Sequence, residues 1–317
     1  DVPIAIAREY DGAVDRLHRT IAETGYFSIL ADGLEAGRAE RMVAEGRALV
    51  GIEIPRLDYF DPDVPPEKPK IVVDATDPAA VRPALAALQI AYWRGAAQTH
   101  EGGPAPALDV EWLYNPAGRT AWTIVPGLAG VVVMISTLML GALTLVRERE
   151  RGSWETLLAT PVEAVDALVG KLAPYLVVGA VQAAVVVGAA RLLFALPVTG
   201  ALWALLAAVP LYAGAHLVLG FTLSALAESQ MQAIQAAVFF YLPSMLLSGF
   251  MFPFQGMPAW ARTIGQALPL THFVRATRGV LLKGAPASFV ASEMLPVALF
   301  ALVAGAAALA AYRRRIN

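Results

Sequence analysis

The chain has 317 residues, 57% of them hydrophobic and 16% charged, with a mean hydropathy of +0.57. Soluble domains carry about 25% charged residues, so this is a membrane-class composition; residues 120–312 are mostly apolar, whereas residues 1–118 are charged like a soluble domain. A net charge of −2 argues neither for nor against nucleic acid, the lack of a clustered basic stripe with interleaved aromatics argues against it, and the absence of cysteine removes disulfides, thiolate metal sites and cysteine nucleophiles.

The sequence opens on Asp1 and an apparent strand, with no signal-like segment before it, so a further segment upstream is expected. "VPIAIA" (Val2–Ala7), "YFSIL" (Tyr26–Leu30), "ALVGIEI" (Ala48–Ile54) and "KIVVDAT" (Lys70–Thr76) read as short buried strands. "DGAVDRLHRTIAET" places Val14, Leu17 and Ile21 at helical spacing. "LEAGRAERMVAEGR" predicts a second helix, and "DPAAVRPALAALQIAYWRGAAQ" a third, with Asp77 as N-cap and Pro78 at its first position. "DYFDPDVPPEKP" (Asp58–Pro69) is too rich in proline for a regular element and reads as a surface loop. Strands alternating with helices predict a small α/β domain over 1–118.

The membrane part follows. A span needs about 20 apolar residues, and five stretches qualify: 122–146, 172–196, 201–227, 233–252 and 289–312. Residues 254–288 are amphipathic and too polar to cross, which predicts interfacial or re-entrant helices broken at Pro269. Arg147, Arg149, Arg151, Lys171 and Arg313 to Arg315 would face the cytoplasm in one orientation, leaving Arg119, Arg191, Arg262, Arg275, Arg278 and Lys283 outside. That is nearly even, so the positive-inside rule decides little; clustering at span ends favours this orientation. It places the N-terminal domain outside, and an upstream span is the simplest way to put it there. The expected fold is an all-α transmembrane bundle, five spans here and six in the complete protein, with an N-terminal α/β extracytoplasmic domain.

Between the first two spans stands "RERERGSWETLLATPV" (Arg147–Val162). Charge runs are usually solvated faces, and a stop-transfer flank would explain this one. Its pattern of acids and bases, then Gly, a small hydroxylated residue, an acid, leucines and Thr-Pro, resembles the cytoplasmic segment of type-2 ABC exporter permeases. The matching residues are Glu148, Arg149, Glu150, Arg151, Gly152, Ser153, Glu155, Leu157, Leu158, Thr160 and Pro161. A second match is "LLSGFMFPFQGMPAWARTIGQALPLTHFVRATRGVLLKG" (Leu246–Gly284), which is similar to the family pattern SG-x-x-x-P, MP-x-W, PLT-x-F, RG and KG. The N-terminal part looks like the external domain of the multidrug-type subgroup, through "IAIA", "YF" and Asp74-x-Thr76, with Ala75 where that subgroup usually has Gly. The resemblance covers essentially the whole chain.

The resemblance implies a coupling helix over 147–163 that docks into a groove on a cytoplasmic ABC ATPase subunit. Glu148, Arg149, Glu150, Arg151, Gly152, Trp154, Glu155, Leu158, Thr160 and Pro161 would form that interface, mixed-sign charges giving register and Trp154 with the leucines an apolar anchor. Thr160-Pro161 would end the helix. The resemblance also implies pairing with a second permease, in the inner membrane, with hydrophobic or amphipathic compounds as cargo; a periplasmic adaptor could dock on residues 1–118.

No G-x-x-x-x-G-K-[ST] occurs, since Gly170-Lys171 is followed by Leu172. ATP and Mg are therefore expected on the partner ATPase, and no cofactor on this chain. The four histidines are scattered, and Asp58, Asp61 and Asp63 lack the Gly and Glu of a calcium loop. Polar residues inside spans usually face protein or a watery path. Gln182, His216, Gln235 and Ser244 are the candidates for a translocation path, with helix-to-helix hydrogen bonding the plainer role. The competing functions are a membrane-anchored sensor or assembly factor, which predicts no ATPase gene beside this one, and a membrane-embedded enzyme, which needs convergent polar groups that the spans do not show.

Overall fold

The computed structural model describes residues 2–8, 21, 27–45, 47–54, 70–76, 78–97, 109–152 and 164–316. The chain divides into two compact units, Asp1–Thr120 with Gln255–Met257, and Ala121–Phe254 with Pro258–Asn317.

The first unit holds β1 (Val2–Arg8), β2 (Phe27–Leu34), α1 (Arg38–Ala44), β3 (Val50–Ile54), β4 (Lys70–Asp74), α2 (Pro78–Ala97) and β5 (Asp109–Leu113). The strands form one sheet in the order β2-β1-β3-β4-β5. All pairings are parallel except β3 with β4. Strand residues alternate between faces, and β1 uses both. Ile4 and Ile6 enter a core with Ile52, Ile71, Val73 and the α2 residues Leu85 and Leu88. Ala5 and Ala7 enter the opposite core with Ala39, Met42 and Val43 of α1. Large side chains thus lie under the long helix and small ones under the short helix. Lys70 joins α1 to β5 by meeting Glu40 at 3.0 Å and Glu111 at 2.6 Å. These two carboxylates, Glu111 first, raise the Lys70 ammonium well above the usual lysine range.

The helix expected from "DGAVDRLHRTIAET", the Asp77 cap and the Asp58–Pro69 loop lie outside the described residues, Ile21 apart. Strand β5 was not expected. It pairs in register with β4, Lys70 opposite Asp109 through Asp74 opposite Leu113.

The second unit is helical: α3 (Thr120–Glu150), α4 (Ala164–Phe194), α5 (Leu202–Leu226), α6 (Gln230–Leu247), α7 (Ala259–Gln266), α8 (Pro269–Leu282) and α9 (Ala287–Ile316). Among the described residues, four helices are long and apolar enough to cross a membrane: Thr120–Glu150, Ala173–Phe194, Leu202–Leu226 and Ala287–Tyr312. The remaining expected span, 233–252, falls on α6, whose 18 residues reach about 27 Å at 1.5 Å per residue. Gln230, Gln232 and Gln235 lower its apolarity. The 254–288 segment contains two helices, α7 and α8, with Pro269 at the first position of α8, where its missing N–H costs nothing.

Helices α3 and α5 are the inner pair. Their apolar windows are 61% and 50% buried, against 22% for α4 and for α9. They touch through backbone: a Cβ on Gly141 would lie 2.3 Å from the Leu217 carbonyl, and one on Gly220 2.3 Å from that of Leu138. Tyr212 of α5 sits beside this crossing. Its hydroxyl donates to the Gly130 carbonyl of α3 at 3.0 Å, and its ring stacks on Phe273 of α8 at 4.1 Å.

Gly141→Ala and Gly220→Ala each force the two backbones apart and are expected to cost about 1–3 kcal/mol, the range of overpacked sites. Gly188→Ala on α4, with no atom within 4 Å of the new Cβ, is the control. Thermal denaturation of the detergent-solubilised chain checks this. The two crossing variants melt lower than the parent, and the control does not.

Candidate functional site

The last turn of α3 carries the charged run, and the structure gives three of its members partners inside the chain. Glu148 forms an ion pair with Lys171 of α4, and the two side chains are 30% and 16% exposed. Arg149 donates through Nη2 to the Ala227 carbonyl, the C-cap of α5. Glu150 accepts from the backbone N–H of Gln230 at 2.8 Å and from its side-chain amide, at the first residue of α6. One turn earlier, Ser224 of α5 accepts from the N–H groups of Leu145 and Val146 at 3.0 and 3.1 Å. Arg147 and Arg151 are exposed. The helix stops at Gly152, whose φ of 75° lies in the left-handed region that glycine adopts without strain. Trp154, Glu155, Leu158, Thr160 and Pro161 lie outside the described residues.

The four pathway candidates do not share one environment. His216 is fully buried on α5. Its Nδ1 faces the Tyr212 carbonyl at 2.9 Å, and its Nε2 has no hydrogen-bond partner. Ser244 is buried on α6 and donates to the Phe240 carbonyl. Both border Phe240, whose ring centroid is 6.5 Å from that of His216. Gln182 is half-buried on α4 with an unpartnered Oε1, and Gln235 is exposed on α6.

Sequence reasoning missed a polar pair between α8 and α9. His272 Nδ1 lies 2.8 Å from Glu293 Oε2, and its Nε2 lies 2.8 Å from the Gln266 carbonyl at the end of α7. Both partners are acceptors. Glu293 near a span start was the available signal, but nothing in the sequence places it beside a residue 21 positions away. Among the described residues no three His, Asp or Glu side chains group as a metal would need.

The family model for ABC-2 family transporter proteins matches residues 21–310. The chain belongs to the ABC-2 transporter family. YbhR of Escherichia coli (strain K12), described as a probable multidrug ABC transporter permease, is 30% identical over 219 residues, 68% of this chain and 60% of that relative. YbhS of the same strain, with the same description, is 31% identical over 182 residues, 56% of this chain and 48% of its own length. ABC transporter G family member 20 of Dictyostelium discoideum is 26% identical over 170 residues, 54% of this chain and 23% of its own length. The chain thus spans at most 60% of the curated relatives it matches. With four helices among the described residues long and apolar enough to cross a bilayer, this ABC-2 transporter chain is a multi-pass membrane protein.

Removing one partner of the 9% and 16% exposed His272–Glu293 pair leaves the other buried and unmatched, at a cost of about 3–5 kcal/mol. His272→Ala and Glu293→Ala are each expected to lower the melting temperature of the solubilised chain. The double variant should lose less than the sum of the two, the mark of contacting residues. Additive losses would show that the two side chains act separately.

Proposed function

We propose that this chain is the permease subunit of an ATP-binding cassette exporter that moves hydrophobic or amphipathic compounds outward, driven by ATP hydrolysed on a separate cytoplasmic subunit. The observation that carries this reading is the charged end of α3, followed at once by "SWETLLATPV" (Ser153–Val162), between two helices long enough to cross the bilayer. Mixed charges beside a short apolar anchor fit a polar, partly wet docking surface, where they set register more than affinity. The sequence contains no P-loop to bind ATP and Mg, and two relatives are described as probable multidrug permeases.

In this reading two permeases pair, homologous or identical, each presenting its segment 147–163 to one ATPase. The α6 helix acts as a further span, five in this chain. The unit at 1–118 lies outside the inner membrane, open to a periplasmic adaptor. Closure of the ATPases displaces the coupling segments, and the helices at the permease seam shift to release cargo. Gln182, His216, Gln235 and Ser244 mark the polar part of the path.

The orientation has a direct check. The chain has no cysteine, so Asp63→Cys carries the sole thiol, and a membrane-impermeant maleimide should label it from outside; labelling only after the cytoplasmic side is opened would refute the placement.

Coupling is checked by Glu155→Ala in the chain coexpressed with its neighbouring ATPase. Truncating one partner of a desolvated interfacial charge pair costs about 2–5 kcal/mol, whereas an exposed pair costs at most about 1 kcal/mol. The variant should insert normally but hold the ATPase more than about tenfold more weakly by the first figure, with ATP-driven efflux falling in step. Arg313→Ala and Arg314→Ala are the controls. If Glu155→Ala copurifies and transports as the controls do, segment 147–163 is a stop signal only.

A further inference from the structure

Glu148, Arg149 and Glu150 are consecutive, and each meets a different helix. Successive α-helical residues project about 100° apart at 3.6 residues per turn, so three in a row face three directions. Here those directions lead to Lys171 on α4, to the C-cap carbonyl of Ala227 on α5 and to the first N–H of α6 at Gln230. A plain stop-transfer flank would turn such charges to solvent. In this run Arg147 and Arg151 do so; Glu150 is exposed too but keeps its bonds to Gln230, and Glu148 and Arg149 are half-buried.

The signs also fit. A helix carries partial negative charge at its C-terminus and partial positive charge at its N-terminus. Arg149 sits on the end of α5, and Glu150 on the start of α6. The short link between these helices, residues 227–229, is therefore held by two neighbouring residues of opposite charge in the order that its two dipoles require. The grip continues along α3 through Ser224 and the Gly141–Gly220 crossing. The last turn of α3 is tied to three other helices within four residues of Gly152, where the described part of the charged run ends.

We infer that Glu148, Arg149 and Glu150 are positioning residues that join segment 153–163 to α4, α5 and α6 together, so that a displacement of that segment reaches three further helices at once instead of α3 alone. This rests on the reading of that segment as the ATPase contact. Transmission needs a physically continuous element that both ends bias. Three lateral ties on one helix turn supply it, and each is directional, an ion pair or a hydrogen bond to a fixed backbone group.

The test uses the full chain in complex with its ATPase subunit, reconstituted in lipid. Single thiols at Gly170→Cys on α4, exposed and with no atom within 4 Å of its Cβ, and at Met231→Cys on α6, 65% exposed, report helix displacement. The readout is the rate of labelling by a water-soluble maleimide, with and without ATP and orthovanadate. Two composition-preserving variants are compared. Exchanging Arg149→Glu with Glu150→Arg keeps every charge but puts the wrong sign at both helix ends. Exchanging Glu148→Lys with Lys171→Glu rebuilds its ion pair in reverse.

In the parent chain, nucleotide should change both labelling rates. The exchange at 149 and 150 should lose the change at Met231→Cys while the change at Gly170→Cys persists, read in preparations matched for bound ATPase. The exchange of 148 with 171 should keep the change at Gly170→Cys, and Lys171→Gln alone should lose it. Nucleotide-dependent labelling at Met231→Cys that survives the 149 and 150 exchange overturns the inference, as does equal loss of the change at Gly170→Cys, which would place the defect at the ATPase contact instead of at the ties to α5 and α6. If the exchanged chain does not insert, Glu150→Gln and Arg149→Gln are read by the same measure, and unchanged labelling responses in both overturn it equally. A parent chain that binds no ATPase refutes the functional reading instead, and that outcome is read separately in the same preparations.

Discussion

The arrangement of the second unit depends on the backbone contact between α3 and α5. Apolar side chains gain nothing by leaving lipid for one another, so membrane helices associate through close packing and polar bonds. Gly141 and Gly220 remove the side chains that would hold these two helices apart. Once the axes are that close, Ser224 reaches the N–H groups of Leu145 and Val146, and Tyr212 reaches the Gly130 carbonyl. The same closeness brings the charged last turn of α3 against the end of α5. A wider crossing would leave Arg149 short of Ala227 and turn the run back into a solvated flank.

The outer helices follow a different rule. Leu295, Leu299 and Leu302 on α9, Val177, Val181 and Val185 on α4, and Phe239 on α6 are largely exposed within this chain. A soluble protein rarely shows such an apolar extent, and lipid accepts it at no cost. Apolar area on these faces therefore does not say which of them meets a second permease. Shape and polar bonds would decide that, and few polar side chains interrupt these faces.

Much of this was legible in the sequence, and the limits have physical causes. Strand β1 was expected at 2–7 and found at 2–8, because an unbroken apolar run fits a strand buried on both faces. Strand β5 was missed because "DVEWL" is five residues with two acids, and its strand character comes from pairing with β4. The long spans were visible because twenty or more apolar residues admit one reading, whereas α6 is diluted by its glutamines. The charged run was visible, but its partners were not. Lys171, Ala227 and Gln230 lie 23 to 80 residues away, and only the α3–α5 crossing brings them near. Trp154, Glu155, Leu158, Thr160 and Pro161 fall outside the described residues, so that part of the site rests on sequence pattern alone.

One further regularity links these particulars. In lipid, the backbone groups left over at helix ends cannot turn to water, and each unsatisfied group costs several kcal/mol. A charged side chain in the same place carries a desolvation cost of its own. This chain repeatedly sets one against the other. Arg149 meets the C-cap carbonyl of α5, Arg278 the Gly249 carbonyl just past α6, and His272 the last carbonyl of α7; at the solvent-exposed end of α3, Glu150 meets the first N–H of α6 without that desolvation cost. In every case the sign suits the helix dipole, with cations or N–H donors on C-terminal carbonyls and the anion on an N-terminal amide. Arg149, Glu150, His272 and Arg278 therefore share a reason that no local pattern displays: each meets a backbone group at the end of a helix other than its own, and that pairing brings the two helices side by side.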